Sequence, residues 1–256
     1  VAPEATGVQI VGNSVGVNAS GTASLGDPAS AVLISGPDAE VRDNVMRGDM
    51  ADVEVVGAAA AGAKIEGNAV GLNESGTAAF PDMGYGIRVD GAPGVTISAN
   101  KVSSPGWAAS LVSGTVQGEV DDDGTYNLIS PGSEVEDQPV TGGAATIAGN
   151  TIGVVSGNQA SDPAIQRGVY TWSGADNVTV SANTIGGATN SGIELETGAR
   201  HKITGNRIGT DASGSTEVAV HEGITLSKTT DVTIGGTGSD ANKIVAESQG
   251  VNLIGT

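Results

Sequence analysis

Cysteine is absent from the chain and aromatic residues nearly so: two Trp, three Tyr and one Phe among 256 residues. Without cysteine there is no disulfide, no thiolate zinc site and no cysteine nucleophile. With so few large rings, an ordinary sandwich or α/β core is a poor fit. Small β-branched residues and 41 glycines suit a thin, repetitive core instead. Basic residues are scarce as well, 11 against 29 acidic, giving a net charge of −18. Such a surface repels nucleic acid and anionic lipid, so neither is expected as a partner. No run approaches the ~18 apolar residues of a membrane span, so no membrane insertion is expected. The opening VAPEA reads like the remainder after a leader is removed, and an extracellular or cell-surface location is the expectation.

What is present is a repeat. KITGNRIGTD (202–211) is rewritten as VQIVGNSVGV (8–17), KIEGNAVGL (64–72) and ATIAGNTIGV (145–154). The pattern of an apolar residue, two others, Asn, any residue and an apolar residue places asparagines at 13, 44, 68, 100, 150, 183 and 206. Asn242 fits too, and Asn127 fits with a poorer lead-in. Long and short spacings roughly alternate, and the steps 13 to 68 and 150 to 206 are 55 and 56 residues. Two further blocks recur: Gly-Ile/Val-x-hydrophobic, as in GIRV (86–89) and GIEL (192–195), and VTIS (95–98) or VTVS (178–181). Each block alternates over a few residues, too short for a helix face and right for a strand. Three short strands per repeat predict an all-β parallel β-helix of about nine rungs, stacked at ~4.8 Å. In-register asparagines then form a structural ladder, bonded to one another's amides and to the neighbouring turn.

The pattern GN-x-[IV]-G-x-[ND]-x-SG-[TS] at 12–22, 67–77 and 205–215 resembles the repeats of bacterial surface and secreted right-handed β-helix proteins, in the broad pectate-lyase-like group. The resemblance implies one solenoid domain over 1–256 and is barely specific for activity, since that fold hosts enzymes, adhesins and phage fibres. It is weakest at 103–144, where the polar, acidic stretch 113–143 reads as an insertion. VQIVGN begins and VNLIGT stops within a rung, as in a piece of a longer array. Enzyme motifs of the group are not matched. NTI (183–185) lacks the aspartate of the polygalacturonase-like NTD block, and neither GHG nor RIK occurs. YGIRVD (85–90) starts like the alginate-epimerase-like block but carries Arg88 and Val89 where an acid and a proline belong.

Strand alternation points Arg88 and Asp90, Tyr170 and Trp172, and Glu194 and Glu196 outward from the Gly-Ile blocks, with Thr225, Ser227 and Asn252 beyond. Aromatic faces beside carboxylates on an exposed sheet predict a carbohydrate-binding surface, with Arg88, Tyr170, Trp172, Glu194 and Glu196 as ligand contacts. Polysaccharide or another cell-surface component is the expected partner of a scaffold or adhesion module. The alternative is a polysaccharide lyase or glycoside hydrolase using Glu194 and Glu196, roughly 6–7 Å apart at two residues' rise. No cofactor is required, although Asp121, Asp122 and Asp123 before Gly124 are candidate Ca²⁺ ligands. The SGT-type loops around Asn18, Asn73 and Asp211 read as Asx-type turns. His201 and His221, the two histidines, have no partner of metal-site type.

Overall fold

The computed structural model describes residues 1–25, 28–81, 84–104, 107–112, 119–120, 126–127, 144–155, 159–160, 164–172 and 175–255. The chain winds through three parallel sheets of eight strands each, visiting them in turn once per rung. The first sheet runs from Gln9–Val11 to Thr233–Ile234, and the second from Ser14–Val15 to Lys243–Ile244. The third carries the longest strands: Ser30–Ile34, Ala51–Val56, Tyr85–Asp90, Trp107–Val112, Ile165–Trp172, Ala188–Glu196, Glu222–Ser227 and Gln249–Ile254. Each strand pairs in register with its counterpart one rung away, the arrangement of a parallel β-helix. Eight rungs at ~4.8 Å make a rod roughly 35 Å long.

Among the described residues the three long sheets make eight rungs, where the repeat count predicts about nine. Asn127 belongs to an antiparallel pairing of Tyr126–Asn127 with Glu119–Val120, outside the three long sheets. The ladder steps directly from Asn100 to Asn150. The chain leaves the third sheet after Val112 and rejoins the first at Ala145.

Inside, like residues stack on like. Val41, Ile65, Ile97, Ile147, Val180 and Ile203 form one file from the first sheet, all essentially inaccessible to water. Comparable files come from the other two sheets, and together they form one aliphatic cluster without an aromatic ring. Among the described residues, Phe80 is the one aromatic in a buried cluster, packed with Val17 and Val45 under a long loop. The Gly-Ile blocks follow from this packing. A Cβ on Gly192 would meet Ile208 Cγ2 at 2.6 Å, and one on Gly223 would meet Ile244 Cγ2 at 2.4 Å. The glycine makes room for the second-sheet isoleucine passing beneath the third sheet.

The corner between first and second sheets is closed by side-chain amides. Each asparagine from Asn13 to Asn206 sends its Nδ2 and its backbone N–H to the Oδ1 of the next: Asn13, Asn44, Asn68, Asn100, Asn150, Asn183, Asn206, Asn242. The second Nδ2 proton goes to a backbone carbonyl one rung back, as from Asn150 to Ile97 O at 3.0 Å. Every buried polar atom of the amide is thereby satisfied, which a corner deprived of water requires. The residue before the asparagine is left-handed in seven of the eight corners, at Gly12, Asp43, Gly67, Ala99, Gly149, Ala182 and Gly205.

Long and short connections between second and third sheets alternate. Twelve to fourteen residues (16–29, 71–84, 153–164 and 209–221) join the two sheets on every other rung, and only 47–50 and 186–187 on rungs between. Asn18, Asn73 and Asp211 organise three of these loops by accepting backbone N–H groups four and five residues on, as the Asx reading predicts. Loop 71–84 stacks on loop 16–29 through the Glu74 N–H and the Gly21 carbonyl, 3.0 Å apart.

Two predictions follow from the corner. Replacing Asn150 with Ala strands the amides of Asn100 and Asn183 in a dry site and should cost ~1–3 kcal/mol, whereas Asn13→Ala, at the exposed end, should cost clearly less. Equal losses in denaturant unfolding would refute the ladder's role. Relieving the left-handed alanines by Ala99→Gly or Ala182→Gly should stabilise by about 0.5–1 kcal/mol, and Gly149→Ala should destabilise by a similar amount. A Cβ on Gly149 meets nothing within 4 Å, so that substitution isolates the backbone cost.

Candidate functional site

The outward face of the third sheet gathers the polar residues that sequence alternation singles out. One register row runs Glu54, Arg88, Ser110, Tyr170, Glu194, Thr225. A second row, two residues on, pairs Asp90 with Val112, Val112 with Trp172, and Glu196 with Ser227. Two charged clusters form on this face, on either side of the strand Trp107–Val112.

In the first cluster Arg88 lies between two carboxylates. One Nη donates to Glu54 Oε1 at 2.8 Å and the other to Asp90 Oδ2 at 2.9 Å. Its Nε is buried without a hydrogen bond, and the guanidinium sits 5.6 Å from the centre of the Tyr85 ring. Burial raises the pKa of Asp90; Arg88 opposes that shift and Glu54 adds to it. Sequence alternation offers Arg88 as a ligand contact; the fold buries it and commits both fork nitrogens to the protein's own carboxylates.

The second cluster spans two rungs. Arg167 stacks 4.8 Å from the Tyr170 ring centre and donates from Nε to Glu194 Oε2 at 2.5 Å. Glu196 sits beside Tyr170 and Glu194, both of which bear on its ionisation. Burial, with Glu194 beside it, pushes the Glu196 carboxyl above the ordinary carboxylate range. Tyr170 is pushed up to about 12 by burial and by the charge of Glu196. Trp172 ends the strand opposite Val112.

Arg167 is the residue that sequence reasoning missed. It precedes Gly168, where alternation counting began, and reaches the Tyr170 ring three residues on. The signal was available only across rungs, since its partner lies 27 residues away.

The remaining candidates fall elsewhere. Asp121, Asp122 and Asp123 lie outside the described residues; among the described residues no three His, Asp or Glu side chains group as a metal site. His201 is buried, accepting the Val178 N–H at Nδ1 (3.4 Å) with Nε2 3.3 Å from the Thr197 carbonyl, and burial lowers its pKa. His221 sits 3.6 Å from Glu247 with both side chains open to water.

Residues 85–256 match the family described as the right handed beta helix region, and the chain belongs to that family. The crystal structure of Dettilon tailspike protein (gp208) is similar at a TM-score of 0.36 and 13% identity, over 96% of this chain and 60% of that one. No curated protein matches the chain.

Because the ionised form of Glu196 is disfavoured in the fold, Glu196→Gln should gain stability relative to the parent as pH rises above the ordinary carboxylate range. Below that range the two should be alike, because the carboxyl is protonated folded or unfolded. Chemical denaturation of both proteins across pH 4 to 8, roughly the window a raised carboxyl traverses, measures this. A constant difference would contradict the assigned environment.

Proposed function

We propose that the chain is an extracellular or cell-surface β-helix module that holds carbohydrate on the outward face of its third sheet. The observation carrying this reading is the Arg167–Tyr170–Glu194–Glu196 cluster, an aromatic ring set among hydrogen-bonding groups on strands locked by their neighbours. A face built this way presents stacking area and directional acceptors to a sugar, with little ordering entropy to lose. The long connections of alternate rungs lead into the strands of this same sheet.

Bond cleavage finds less support than binding. Retaining glycosidases separate their carboxyl groups by ~5 Å and inverting ones by more, leaving room for the sugar or for water. Glu194 is already held by the Arg167 guanidinium, and burial raises the pKa of Glu196. The calcium reading of Asp121, Asp122 and Asp123 remains a proposal, on the chemistry of three consecutive carboxylates before a glycine.

Glycan-array binding by the parent and by Tyr170→Ala, with and without calcium, tests the assignment. Tyr170→Ala should lose tenfold or more in affinity, on the order of the stacking and packing lost with the ring. Equal binding by the two proteins would remove this face from consideration, and calcium dependence would implicate the acidic turn.

A further inference from the structure

The two clusters share an arrangement. Each has an arginine stacked on a tyrosine of its own strand, Arg88 on Tyr85 and Arg167 on Tyr170. Each arginine is clamped by a glutamate from the neighbouring rung, Glu54 in one case and Glu194 in the other. Each has a second carboxylate two residues along the row, Asp90 and Glu196. The order is reversed between them: the glutamate comes one rung before Arg88 and one rung after Arg167. Arg88 and Arg167 are the two basic residues in the strands of this sheet, which also hold Asp52, Glu54, Asp90, Glu194, Glu196 and Glu222.

Arginine on a sugar-binding face ordinarily serves to take a carboxylate or sulfate in its fork. Here carboxylates of the protein already take both Nη groups of Arg88 and the Nε of Arg167. With all side chains ionised, each trio of one arginine and two acids carries net −1, within a chain at −18. An anionic sugar would have to displace an internal carboxylate and then face it across a short distance, at a cost that low local dielectric enlarges. A sugar hydroxyl has no such penalty, since it donates to a carboxylate while its ring lies on the tyrosine.

Resting on the carbohydrate-binding reading, we propose that this face selects uncharged sugars and excludes uronate-bearing ones, the discrimination being set by the self-neutralised arginines. Glu54 and Glu194 are then specificity-determining residues that act by keeping the arginine forks occupied.

The test compares neutral cello-, xylo-, manno- and galacto-oligosaccharides with oligogalacturonate and oligomannuronate, by array and then calorimetry at low salt. The parent should bind a neutral member and neither uronate. Replacing both acids (Glu194→Gln with Glu196→Gln) turns that cluster from net −1 to net +1 and should bring uronate binding up by about tenfold or more. Adding Arg167→Gln to that pair should abolish the gain, which a purely structural role for the acids would not predict. Should the double variant fold poorly, Glu194→Gln alone removes the carboxylate that Arg167 Nε holds and makes the test with one isosteric change. A parent that binds uronates as well as neutral sugars overturns the selectivity and leaves the carbohydrate reading standing. A parent that binds none of the panel overturns both.

Discussion

The asparagine corner is the constraint on which the rest depends. A β-helix rung must turn sharply between its first two sheets without leaving backbone groups unpaired, and the rung above removes any water that could help. The amide solves this because one side chain offers an acceptor that takes two bonds and two donors that reach opposite rungs. Fixing it to its neighbours fixes the rung spacing, so aliphatic files and strand registers on all three sheets come into line. Without that alignment the third sheet could not place Arg167 beside Glu194, or Arg88 beside Glu54.

Charge placement on the outer face follows from this rigidity. Buried or half-buried ion pairs contribute little net stability, because desolvation offsets most of the attraction. Their consequence is conformational: Arg88 and Arg167 are held against rings and acids, and the tyrosines are held with them. The elevated Tyr170 and Glu196 pKa values report the same crowding.

The fold was legible because its grammar is local. Asparagine between apolar residues, glycine before isoleucine and a period near 55 residues over two rungs all survive in a single sequence. Asn127 shows the limit of a local motif: NLI looks like a ladder site, yet Tyr126–Asn127 pairs antiparallel with Glu119–Val120. The site was legible only as a row. Tyr170, Glu194 and Glu196 could be aligned by counting outward from glycine, but partners 27 and 34 residues apart, Arg167 with Glu194 and Arg88 with Glu54, are set by rung register. His201 offered no pattern at all, being buried by the turn it sits in.

The amide ladder also has a sense of direction. Every donor bond between its members points the same way along the axis, from Asn13 toward Asn242. Asn13 therefore directs its Oδ1 toward one end of the described ladder, while Asn242 turns its backbone N–H toward the other. Two such ladders could continue one another only tail to head, because two like ends would set acceptor against acceptor or donor against donor. The corner thus carries a polarity that a two-fold symmetric, end-to-end contact could not satisfy, whereas a heterologous one could.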